Sequence, residues 1–226
     1  MSAMEAAKRQ AAEAALAYLP ERGVVGLGSG STAVFFIEGV GRLVAAGREL
    51  SGVATSDESR RQAQSLGIPL LGDAGPWLVD VCVDGADEVS RGLDLIKGGG
   101  GCHTREKIVN RAARRNIIVV DESKLSERLG EKWAVPVEVL PFGIGNARLA
   151  LGRWGTVTLR QRRGAPFITD SGNGILDVQV GPIADPAALA RELASVSGVV
   201  DTGLFIGRAD VVIVAGEHGV RELRRG

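Results

Sequence analysis

The strongest constraint on the fold is an alternation in the first half of the chain. Short β-branched runs at residues 23–28, 52–55, 78–83, 93–96 and 116–120 are mostly followed by about ten or more residues of helical character. A strand that leads through a helix to the next strand pairs with it in parallel, and the crossover is right-handed. Several runs are apolar on both sides, as strands covered by helices on both faces of a sheet must be. The fold class that follows is α/β, with a doubly wound, mainly parallel, Rossmann-like sheet.

The pattern changes near Glu131. It reads there as a strand at 133–140, a helix at 144–153, strands at 156–162 and 167–180, a helix at 186–196 and a strand at 199–205. Strand-helix-strand-strand-helix-strand is the ferredoxin-like order. Residues 171–174 carry turn chemistry, so the fourth of these elements reads alternatively as a hairpin. A last apolar run at 209–215 is expected back in the first sheet. The expected division is a Rossmann-like domain at 1–130, completed by 206–226, with an inserted ferredoxin-like α+β domain at 131–205.

Composition narrows the partners. The 226 residues are 45% apolar, enough for a real core, and 27 Lys and Arg balance 27 Asp and Glu. A chain without net charge gives no electrostatic case for nucleic acid or an anionic membrane. Cys82 and Cys102 are too few to staple a chain of this size, and a reducing compartment is expected. The charged N-terminus lacks the apolar core of a secretory signal, and no window reaches the ~20 apolar residues of a membrane span. A soluble, cytoplasmic protein is expected.

In open α/β sheets ligands bind beyond the carboxyl ends of the strands, which directs attention to four stretches. In "GLGSGSTA", Gly28 and Gly30 allow tight turns, while Ser29, Ser31 and Thr32 precede or open a helix whose free N–H groups suit a phosphate. It is neither a Walker loop nor a full dinucleotide fingerprint. In "TSD", Asp57 reads as a helix N-cap rather than a ribose ligand. "VDGADEV" places Asp84, Asp87 and Glu88 around Gly85 and Ala86, suited to acid-base work or to a capped, solvated turn. "KGGGGCHTREK" places Lys97 at a strand end, then Gly98, Gly99, Gly100 and Gly101, whose bare amides suit an oxyanion unless the run is a slack loop. Thr104 reads as the N-cap of the next helix, with Glu106 in its first turn. Lys124, after a later strand, adds positive charge. Cys82 reads as core, and neither His103 nor His218 belongs to a cluster with metal-ligand spacing. The set of groups suits proton transfer on a small phosphorylated metabolite.

"GLGSGSTA", "TSD", "VDGADEV", "KGGGGCHTREKI" and "DESK", followed by "PVEVLP", "TDSGNGILDV" and "GVVDTGLF", resemble in order and spacing the type A ribose-5-phosphate isomerase family over nearly the whole chain. The resemblance implies interconversion of D-ribose 5-phosphate and D-ribulose 5-phosphate, in the pentose phosphate pathway, without metal or organic cofactor. It implies Glu106 as the base, Asp84 and Asp87 as ligands of sugar hydroxyls that assist ring opening, and Lys97 with the following glycine amides as the oxyanion site. Ser29, Gly30, Ser31, Thr32, Gly85, Ala86, Lys124 and Lys8 would bind substrate, several of them around its phosphate. A homodimer is implied, with a tetramer as the alternative. Ser29 stands where the family often has threonine, and Gly101, Cys102 and His103 replace its small apolar residues; His103 either tunes Glu106 or faces solvent. Competing readings are a non-catalytic sugar-phosphate regulator, for which no DNA-binding element is visible, and a deaminase or coenzyme A transferase of related fold, whose catalytic residues are missing.

Overall fold

The computed structural model describes residues 3–216 and 219–225, with the backbone only of Ala3 and Met4, so His218 lies outside the described residues. The chain divides into two compact units, Met1–Ala86 with Arg105–Lys124 and Arg208–Gly226, and Asp87–Thr104 with Leu125–Gly207. The segment 131–205 expected as the second domain lies wholly in the second unit. That unit also takes in Asp87–Thr104 and residues 125–130 and 206–207, all expected in the first.

The first unit is built on a six-stranded sheet. From edge to edge its strands are Gly219–Arg224, Val211–Gly216, Ala113–Asp121, Val79–Asp84, Arg22–Leu27 and Glu49–Ala54. All neighbours pair in parallel except the edge strand Gly219–Arg224, which runs antiparallel to Val211–Gly216. The run at 209–215 thus returns to the first sheet as expected, and the antiparallel edge beyond it was not anticipated. Its residues Gly219, Val220, Arg221, Glu222 and Arg224 are exposed, so no apolar alternation marks it. One face of the sheet packs Val25, Leu27, Val83, Ile117, Val119 and Ile213 against Phe36, Ile37 and Val40 of the helix Ala33–Ala45. The spacing of those three residues gives the helix one apolar stripe, and burying each contributes about 1.5–3 kcal/mol. Val53, Val79 and Cys82 form another buried cluster with Val109 of the helix His103–Ala112, so Cys82 is core. Apolar residues pointing both ways from one sheet are what parallel strands need.

The second unit contains a four-stranded antiparallel sheet in the order Val199–Thr202, Val135–Val139, Gly174–Gln179, Thr156–Leu159. With the helices Ile144–Leu151 and Pro186–Ala194 this is the ferredoxin-like arrangement. The hairpin reading of 171–174 is the realised one, because Thr169 and Asn173 close a turn (Thr169 N to Asn173 O, 2.9 Å) before the strand begins at Gly174. The run at 93–96 is not a strand of the parallel sheet. Only Leu95–Ile96 is extended, in a small sheet with Leu204–Phe205, Glu88–Ser90 and Leu125–Ser126. A tight turn after Ser90, with Ser90 N bonded to Asp94 O at 2.9 Å and Leu93 at φ 61°, sends the chain straight back antiparallel. An apolar run carries no record of which sheet it joins. Among the described residues no helix is long and apolar enough to cross a membrane.

Candidate active site

In the first unit the strand Arg22–Leu27 is followed in sequence by its neighbour on one side, Glu49–Ala54, and then by its neighbour on the other, Val79–Asp84. This reversal is the switch point at which doubly wound sheets open a crevice beyond the carboxyl ends of their strands. Ser29 and Asp84 both lie there. Asp84, 2% exposed, accepts at Oδ1 from Ser29 N (3.0 Å) and Gly85 N (2.8 Å). The approach is so close that a Cβ on Gly28 would stand 2.3 Å from Asp84 Oδ1 and 2.6 Å from its Cα. Gly28 is required by space.

Hydroxyl groups behind this loop support it. Thr55 Oγ1 donates to Leu27 O (3.0 Å) and lies 2.7 Å from Ser29 Oγ. Ser29 Oγ also lies 3.4 Å from Ser59 Oγ, and in each of these hydroxyl pairs either oxygen can donate. Ser59 Oγ donates to Gly28 O (2.6 Å), and Ser56 Oγ accepts from Ser59 N (3.0 Å) as N-cap of the helix Asp57–Ser65. The cap is therefore Ser56 and not Asp57, whose carboxylate takes Arg105 Nη1 at 2.8 Å. Thr55 and Ser59 were missed as supports of the loop; their sequence signal is the hydroxyl-rich "TSDES" after a strand.

Gly30 is exposed with φ 94°, and Thr32 is the N-cap of Ala33–Ala45 without a side-chain cap bond. Lys8, on the helix Ala3–Ala15, donates from Nζ to Ser31 Oγ at 2.8 Å. A cation, a hydroxyl and a helix N-terminus thus converge, as an anion requires. Gly85 and Ala86 are half-buried, and Lys124, also half-buried, closes the turn Glu122–Lys124 after Ala113–Asp121. Glu106 sits in the first turn of His103–Ala112 at 4% exposure. The helix starts one residue before Thr104, so Thr104 is not its cap.

In the second unit Asp87 Oδ2 accepts from Gly99 N at 2.6 Å. Glu88 does not join a polar mouth. It is fully buried and accepts from the backbone of Gly130 (2.8 Å) and Lys132 (3.0 Å), a structural role. Lys97 is 3% exposed, its Nζ 5.5 Å from the Phe205 ring centroid and its N–H bonded to Gly203 O (2.9 Å). The glycine run is an ordered turn rather than a slack loop. Gly101 N bonds Gly98 O at 2.9 Å, and Gly98 and Gly101 adopt φ 105° and 86°. The amides of Gly99 and Gly101 are thereby engaged within the protein, and Gly99 and Gly100 are exposed at the tip. His103 is fully buried and does not face solvent; a Cβ on Gly98 would meet its Nδ1 at 2.5 Å. A Cβ on Gly101 would meet the Phe167 ring at 2.4 Å. Cys102 Sγ rests 3.8 Å from Gly100 O. Arg160, which donates to Gly98 O and Gly99 O, was also missed, since it lies some sixty residues from the turn and in an arginine-rich stretch that marks none of its members. Among the described residues no three His, Cys, Asp or Glu side chains converge as a metal site.

Residues 51–219 match the family model of ribose 5-phosphate isomerase A (phosphoriboisomerase A). The chain is 46% identical over 228 residues to the ribose-5-phosphate isomerase A of Desulfatibacillum aliphaticivorans, covering 99% of each. It is 47% identical over 218 residues to that of Gloeobacter violaceus, covering 96% of this chain and 95% of the relative. Among solved structures it resembles ribose 5-phosphate isomerase A from Methanocaldococcus jannaschii, with TM-score 0.92, 40% identity and coverage of 97% and 99%. A D-ribose-5-phosphate isomerase in complex with phospho-erythronic acid superimposes with TM-score 0.95 and 38% identity over the whole of both chains.

Proposed function

Because the chain belongs to the ribose-5-phosphate isomerase A family of aldose-ketose isomerases, we propose that it interconverts D-ribose 5-phosphate and D-ribulose 5-phosphate through an enediolate, with Glu106 as the base. The observation that carries this reading is the burial of three ionisable side chains. Asp84, Lys97 and Glu106 are 2%, 3% and 4% exposed within the motifs that carry the family resemblance, and ionisable side chains are seldom buried unless a structural pairing, as at Glu88, or function keeps them there.

Glu106 removes the proton from carbon-2 of the open-chain aldose, the electron pair forms the carbon-1 to carbon-2 double bond as the carbonyl pair moves onto oxygen-1, the hydroxyl proton of oxygen-2 passes to oxygen-1, and the proton held by Glu106 returns to carbon-1 as the carbon-2 carbonyl forms. The charge that develops on oxygen is met by the Lys97 ammonium and backbone amides of the glycine turn, and one preorganised donor of this kind lowers a barrier by about 2.7–4 kcal/mol. With Gly99 and Gly101 engaged elsewhere, the Gly98 and Gly100 amides are assigned to this task. Asp84 and Asp87 bind sugar hydroxyls and assist ring opening. Ser29, Gly30, Ser31, Thr32 and Lys8 bind substrate around its phosphate, with Lys124 adding charge. The phospho-erythronic acid bound by a relative supports a phosphorylated sugar as ligand.

We assign a homodimer formed through the second unit, whose Leu140, Phe142 and Leu149 are exposed apolar side chains, and a cytoplasmic location, in keeping with two free cysteines. Light scattering that returned a monomer would remove the dimer assignment. The isomerase reading is tested by assaying the purified protein on ribose 5-phosphate with EDTA present, beside Glu106→Gln. Turnover insensitive to the chelator and abolished in Glu106→Gln is expected; near-normal turnover in the variant overturns the base, and an inactive wild type overturns the reaction.

A further inference from the structure

Arg160 follows the strand Thr156–Leu159 with its backbone fixed on both sides. Its N–H donates to Ile175 O and its carbonyl accepts from Phe167 N, each at 2.9 Å. Its guanidinium is fixed as well. Nε and Nη2 donate to Oδ2 and Oδ1 of Asp177 at 2.9 and 2.5 Å, a bidentate pair whose side chains are 14% and 25% exposed. The remaining Nη1 donates to Gly98 O at 2.6 Å and to Gly99 O at 3.2 Å.

In a trans peptide the C=O and N–H point in opposite directions. A Gly98 carbonyl drawn to Arg160 therefore sends the Gly99 N–H the other way, and Asp87 Oδ2 accepts that N–H at 2.6 Å. One peptide plane is gripped from both ends. The next plane, tied at Gly99 O, turns the Gly100 N–H away from Arg160 in the same manner. Glycines have no side chains with which to fix these planes, and ordering each residue costs about 1–2 kcal/mol of backbone entropy.

We propose that Arg160, anchored by Asp177, is a positioning residue of the isomerase reaction: it sets the peptide planes of residues 98–100 and, through the Gly99 amide, the orientation of the Asp87 carboxylate. The proposal rests on the isomerase reading above. Only a planar fork can satisfy two carboxylate oxygens and two carbonyls at once, so lysine is not an equivalent.

The test compares wild type, Arg160→Lys and Arg160→Ala for kcat and KM on ribose 5-phosphate, with circular dichroism and hydrogen exchange of the turn. Loss of positioning lowers kcat by about 10–100-fold with KM changed less than about threefold, and speeds exchange at Gly99 without changing that of the strand Val135–Val139. If Arg160→Ala fails to fold, Arg160→Lys decides. Wild-type kcat in Arg160→Lys, or a raised KM with kcat unchanged, overturns the proposal, since the latter marks uniform binding. An active wild type with indifferent Arg160 variants overturns positioning alone. An inactive wild type overturns the reaction, and exchange at Gly99 then decides whether Arg160 holds the turn.

Discussion

Replacing Gly28 by alanine tests how tightly the switch-point crevice is built. The new methyl would stand 2.3 Å from Asp84 Oδ1, 2.5 Å from its Cγ and 2.6 Å from its Cα. A clash with the end of a side chain relaxes by rotation, but a clash with Cα needs two neighbouring strands to separate. Those strands are bonded at this point, Gly28 N to Val83 O at 3.0 Å. Overpacking of this kind costs about 1–3 kcal/mol. Displacing the Asp84 carboxylate from Ser29 N adds about 1.5–3 kcal/mol, because the acceptor is charged. The sum, about 2.5–6 kcal/mol, is a large share of the ~5–15 kcal/mol that holds a typical fold, and a loss of this size lowers the melting temperature of a chain this long by roughly 5–24 °C. Gly85→Ala is the control, since its nearest contacts would be Val119 O at 3.8 Å and Ser29 O at 3.9 Å, ordinary separations. Urea unfolding and thermal melts of both variants measure the difference. Equal stabilities would refute the argument that space at Asp84, rather than backbone freedom, requires glycine at position 28.

Glu88→Ala strands the buried backbone donor of Gly130 and frees the part-buried one of Lys132 to water; at about 1–3 kcal/mol for the stranded donor, urea unfolding is expected to show a loss of about that size. The acid-base behaviour of the Tyr18, Glu222 and Arg224 cluster gives a pH profile. Tyr18 is raised above its ordinary value by burial and by its hydrogen bond to Glu222, and Glu222 is lowered by its bonds from Tyr18 and Arg224. The Glu222 contribution is therefore present above its unfolded pKa near ~4.3 and lost as pH falls through its lower folded value, while that of Tyr18 is complete below ~10 and lost as pH rises through its higher folded value. The group is largely solvated, so the effect is small and salt-sensitive. Melting temperatures across pH are expected to fall at both ends, and Tyr18→Phe to remove the alkaline limb.

The sequence by itself determined the fold class, because alternating β-branched runs and helices leave a chain few ways to pair its strands, and periodicity is a local property. It also displayed the groups that chemistry needs, Ser29, Asp84, Lys97 and Glu106 among them, since these sit in short motifs at strand ends. Tertiary structure decided everything that depends on partners distant in sequence. It moved the run at 93–96 from the parallel sheet to a small antiparallel one through a turn at Leu93. It separated Asp84, held by Ser29 N, from Glu88, consumed by the backbone of Gly130 and Lys132, although the two carboxylates are four residues apart in sequence. It set the Ser29 hydroxyl against that of Thr55, buried His103 against Gly98, and turned four glycines that read equally well as slack chain into an ordered turn. The physical reason is the same throughout: a residue's type fixes which bonds it can make, and only the folded chain fixes which partner reaches it first.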